Sequence, residues 1–298
     1  MLQTLAKLGR QAGLNQGEWD DILHRPKFPT QTKKGDKITN YIAPLIFNLD
    51  QGTSSLGKLI PYDEEKSPER FFNVKIQGGN NKAIYTCVET KGFEQLRKSF
   101  FGIPDKNGNP SVQGQFTEAI DKGFPDLQTT PLYGVLQALF QHRDAFESSY
   151  LSEKGSADPK KITEALSLKP NEQVVLLVVG VIWAAKGWDE PVYFRDIDGY
   201  KSFLKRKFLD DNSLSSDEKQ APRLCYATGE LRENVREPES IVRYNLNKMF
   251  VTTTINYANN FDGGNFSRNY QIDRETLTDL ERGSQKLLNE YKTKIAGI

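Results

Sequence analysis

Two cysteines and two histidines are all that 298 residues offer as soft or imidazole ligands. Cys87 and Cys225 cannot make a disulfide framework, so a reducing, cytoplasmic compartment is expected. His24 follows Asp20 and Asp21, and His142 stands between Gln141 and Arg143. Neither has metal-site or triad spacing, and both read as surface residues. The full phosphate-binding Gly-x-x-x-x-Gly-Lys-Ser/Thr loop, the Gly-x-Ser-x-Gly elbow and the dinucleotide fingerprint are missing; Gly52 to Lys58 has the first spacing, but Leu59 stands where that loop needs a hydroxyl. Long apolar runs are missing too: Val174 to Ala185, broken by Gly180, is well short of the roughly 20 residues a bilayer demands. The opening Met1–Arg10 is too polar for a signal peptide, and no membrane partner is expected. An excess of one charge is lacking as well. Forty Lys and Arg balance thirty-nine Asp and Glu, so attraction to nucleic acid must come from local patches.

What is present describes a folded chain. Hydrophobic content of 37% with 11% aromatics is enough to fill a core. The patterning gives an α+β protein in which antiparallel hairpins and a mixed sheet pack with helices. It divides into a mixed domain over 1–220 and a smaller region over 221–298. Leu2, Leu5, Leu8 and Ala12 make an amphipathic opening helix that Gly13 ends. Tyr41–Asp50 is predicted as a strand with Leu56–Tyr62 returning beside it. Phe71–Ile76 and Lys82–Val88 form a hairpin through the Gly and Asn cluster between them. Helical faces follow at Phe93, Leu96 and Phe100, around Phe116–Ile120, and from Leu132 to Phe140 after Pro131. Val174–Ile182, rich in β-branched residues, belongs at the centre of a sheet. A helix is expected over Asp198–Leu209, a strand or strand pair over Ile241–Tyr257, and a terminal helix capped by Asp273.

The last quarter carries the most specific pattern. Cys225-x-x-Thr228 and Asp273-x-x-Thr276 have the spacing of two zinc knuckles separated by a β-rich insert, yet only Cys225 is a thiol. A structural zinc wants four soft or imidazole ligands, so no metal and no cofactor are expected. Hydrogen bonds among the hydroxyls and the carboxylate would hold the two turns, with Leu224 and Ile272 as apolar support. The region is thus a degenerate zinc knuckle. Asp196 and Asp198 form a D-x-D pair that could bind a divalent ion, but a single pair lacks a third ligand.

Cys225-x-x-Thr228-Gly229, Tyr244–Phe250, Asn269–Asp273 with Thr276, and Leu280-Glu281-Arg282-Gly283 together resemble the large subunit of type I-B CRISPR surveillance complexes (Cascade). The turn Cys225–Glu230 is also similar to that of type I-C large subunits. The resemblance is concentrated over 220–290, and the opening helix and first strand pair are similar as well. Knuckle positions in that family are usually cysteines, so its metal is not carried over. Its members usually continue into a C-terminal helical bundle. Here the chain ends at Ile298, so the bundle is expected as a separate chain or in a longer protein.

The resemblance implies a non-catalytic subunit in a ribonucleoprotein complex. Its partners would be CRISPR RNA, target double-stranded DNA, other Cascade subunits including small subunits, and a helicase-nuclease. It would recognise the protospacer-adjacent motif in duplex DNA, aid R-loop formation and recruit the helicase-nuclease. Guide pairing reads the rest of the target. Groove reading needs close backbone approach, amide or cationic side chains and a wedge. Two loops supply these: Gln77, Gly78, Gly79, Asn80, Asn81 and Lys82; then Asn259, Asn260, Phe261 and Asn265 with Arg268. Lys33, Lys34 and Lys37, and Lys201, Lys205, Arg206 and Lys207, are the expected phosphate contacts. Two rivals remain: a metal-dependent nuclease built on Asp196 and Asp198, and an RNA and protein assembly module without DNA contact.

Overall fold

The computed structural model describes residues 2–14, 17, 19–20, 22–32, 34–74, 84–104, 107, 109, 111–144, 165–209, 222–232, 235 and 272–290. The chain gathers into two compact units, one from Leu23–Lys75 and Lys82–Leu209, the other from Met1–Ile22, Ile76–Asn81 and Asp210–Ile298.

The larger unit is organised by two central strands, β1 (Thr39–Asn48) and β5 (Glu172–Trp183), which run parallel. β5 is buried from Val175 to Val181, which explains why its sequence is apolar without alternation. On the outer side of β1 lie β2 (Thr53–Leu56) and β3 (Ile60–Pro61), both antiparallel. On the outer side of β5 lie β4 (Cys87–Glu89) and β6 (Trp188–Tyr193), also antiparallel. The mixed sheet and its helices make the fold α+β.

Strand alternation turns Ile42 and Phe47 to opposite faces. Ile42 joins Cys87, Val175 and Val178 in a core closed by Phe71 at the end of α2 (Lys66–Phe71), with Phe28, Tyr62 and Tyr193 at its margin. Phe47 meets Phe101 of α3 (Phe93–Phe101), centroids 6.3 Å apart. Beyond it the rings of Phe100, Phe116, Phe194, Tyr200 and Phe203 interlock, Phe116 and Phe203 at 4.8 Å. These rings come from α3, α4 (Gln115–Gly123), the turn 194–196 and α6 (Tyr200–Leu204). Between α4 and α6 in sequence, α5 (Pro131–Gln141) starts at Pro131 as its missing N–H predicts and buries Leu132, Val135, Leu136 and Leu139.

Two local expectations are corrected. Phe71 begins no strand; it ends α2. The Asp63 carboxylate accepts the Glu65 and Lys66 amides at 3.0 and 2.8 Å, and Ser67 Oγ accepts the Asp63 amide at 2.9 Å, so a helix is nucleated just before the apolar run. Phe72 then turns left-handed at φ 48°, which lets both neighbouring rings be buried where a strand would have split them between faces. Cys87 lies in a strand and is buried, as expected. The predicted tip from Gln77 to Lys82 is outside the described residues. The helix expected from Asp198 starts at Tyr200 instead, after Gly199 at φ 96°, and widens into a π turn over Lys205–Leu209. A side chain at Gly199 would strike Thr130, its Cβ 2.6 Å from Thr130 Oγ1.

In the smaller unit, α1 (Leu2–Gly13) crosses α7 (Arg274–Glu290), and β7 (Arg223–Leu224) pairs with β8 (Leu231–Arg232). Leu5, Ala6, Cys225, Ala227, Val235, Ile272 and Leu280 form its core. The opening helix, placed with 1–220 by sequence position, thus packs with elements from 221 onward. The strands expected over Ile241–Tyr257 lie outside the described residues. No described helix is long and apolar enough to cross a membrane.

Candidate functional site

The turn between β7 and β8 meets the N-terminus of α7. Cys225 opens the turn: its carbonyl accepts the Gly229 amide at 2.8 Å, and its amide donates to the Glu230 carbonyl at 2.8 Å. Gly229, at φ 74°, supplies the left-handed residue that the reversal needs. At the other side, Asp273 Oδ1 accepts the Thr276 amide at 2.9 Å and Oδ2 accepts the Thr276 hydroxyl at 2.7 Å. The Cys225 thiol lies on the same side and favours the charged form of this carboxylate. Arg232 of β8 stands 3.7 Å from Asp273 Oδ1 and also pairs with Glu230 and Glu275.

Burial alone would raise the Asp273 carboxyl. The Thr276 amide and hydroxyl, the Cys225 thiol and the Arg232 charge outweigh it and hold the group below its ordinary range. Cys225, Asp273 and Thr276 are all buried. Their chemistry is that of a polar cross-link: the carboxylate is bonded by the Thr276 amide and hydroxyl and faces the Arg232 charge.

Sequence reasoning placed Cys225, Asp273 and Thr276 together and Ile272 beneath them, and they meet. Thr228 stays within its own turn, its hydroxyl accepting the Glu230 amide at 3.3 Å. Leu224 is corrected. It is 57% exposed beside Leu231, because alternation that turns Cys225 inward turns its neighbour out. Arg232, which neutralises the buried carboxylate, was missed; its only signal is a cation two residues beyond Glu230.

The basic candidates lie on two separate segments. Lys34 and Lys37 are exposed on a loop closed by the Gln31–Lys37 bridge and by Thr32, whose hydroxyl accepts the Lys34 and Asp36 amides at 3.2 and 3.1 Å. Lys33 is outside the described residues. Lys201, Lys205 and Lys207 are exposed on α6 and its π turn. Arg206 is held by its own protein, 2.6 Å from Asp126 and 4.8 Å from the Phe124 ring centroid. The motif-reading candidates Gln77–Lys82, Asn259, Asn260, Phe261, Asn265 and Arg268 all fall outside the described residues.

Asp196 and Asp198 are exposed on either side of buried Ile197, and no group of three acidic, histidine or cysteine residues gathers among the described residues. His142 differs from its expected surface role: its Nε2 lies 3.1 Å from the Leu49 carbonyl, and the ring sits so close under Gly52 that a Cβ there would come within 2.9 Å of Nδ1. His24 is partly exposed, 3.7 Å from Glu89. On the sheet, a shallow apolar groove of about 370 Å³ runs among Pro44, Ile46, Ile60, Pro191 and Tyr193. No family model, curated protein or solved structure matches this chain.

Proposed function

We propose that this chain is the non-catalytic large subunit of a type I-B CRISPR surveillance complex, working in the cytoplasm. It recognises the protospacer-adjacent motif in duplex DNA, aids R-loop formation and receives the helicase-nuclease. The observation that supports this reading is the closure of Cys225, Asp273 and Thr276 into one buried cluster. Of the residues that carry the resemblance, Cys225 and Leu280 share one core, and Asp273 and Thr276 are hydrogen-bonded beside it. Lys34, Lys37 and Lys201 are exposed, and lysines there suit phosphate contact.

Co-expression with CRISPR RNA and the companion subunits, followed by gel-shift of motif-bearing and motif-free duplexes, tests the reading. Motif-dependent binding should weaken in Asn80→Ala with Asn81→Ala, and charge removal at Lys201 and Lys205 should lower the salt dependence of affinity. Failure to co-purify with CRISPR RNA sinks the proposal. Capture of RNA without duplex shows an assembly module instead. Magnesium-dependent plasmid cleavage lost in Asp196→Ala shows a nuclease.

A further inference from the structure

We draw no further inference here: the strongest candidate, the shallow apolar groove on the mixed sheet among Pro44 and Ile46 of β1, Ile60 of β3 and Pro191 and Tyr193 of β6, carries nothing because nothing in the structure shows what covers it.

Discussion

Gly9 and Gly283 face each other where α1 crosses α7: a Cβ built on Gly283 would lie 3.2 Å from the Gly9 amide nitrogen and 2.1 Å from the Leu5 carbonyl oxygen. The converse is tighter still, since a Cβ on Gly9 would lie 1.7 Å from the Asp279 carbonyl oxygen. The obstructing atoms are backbone, so the helices must separate to admit a methyl group.

Gly9→Ala and Gly283→Ala should therefore each destabilise the unit by about 3 kcal/mol or more, although alanine favours helix in isolation. Separation of the helices would also strain the ion pair between Arg10 Nε and Asp279 Oδ2, now 3.0 Å. Urea denaturation reads the loss. An unchanged midpoint would mean that the crossing is not this close.

Asp273 is the acid-sensitive point of the same unit. Its carboxyl is held below the ordinary range, so the folded state favours the ionised form. That contribution is present above the unfolded pKa of about 4 and is lost as pH falls through the folded value. Asp273→Ala should cost about 2–3 kcal/mol near neutral pH, where cap, thiol and hydroxyl partners are all stranded. The difference from wild type should shrink in strong acid. Denaturation midpoints of both proteins across the acid range check the sign.

Tyr62 should titrate late. Burial first, and then the negative charge of Glu64, pushes its phenol up to about 12, and its hydroxyl donates to the Pro26 carbonyl at 2.6 Å. Because the folded value is raised, the stability this group contributes is present below pH 10 and is lost as pH rises through about 12. Ultraviolet difference titration of wild type against Tyr62→Phe isolates the phenol. Ionisation at the ordinary value would show that the phenol is not buried in solution.

The hydroxyls of Thr86 and Tyr200 are 2.8 Å apart and both residues are buried. Thr86→Val should cost about 1–3 kcal/mol, because it leaves a phenol without a partner inside an aromatic core. Adding Tyr200→Phe should restore much of the loss. A double-mutant cycle that shows simple additivity would dissolve the pair.

Legibility varied with the range over which each signal acts. The β-branched run at Val174–Ile182 announces a central strand, and β5 lies between β1 on one side and β4 and β6 on the other. Pro131 and Asp273 mark helix starts where α5 and α7 begin. Phe71 misled because alternation was read through a position where capping by Asp63 competes and wins. Within the candidate cluster, spacing pointed to Cys225, Asp273 and Thr276, whereas Arg232 and the exposure of Leu224 depend on how β7 and β8 pair.

By itself, the order of residues determined the kind of protein: a folded α+β chain with helices and strands where period and caps put them, since those preferences act over a few neighbouring residues. Only tertiary structure decided that α1 would pack with α7 and that Arg232 would reach Asp273. Such pairings join distant parts of the chain, and their energy comes from close approach and desolvation, which no local pattern encodes.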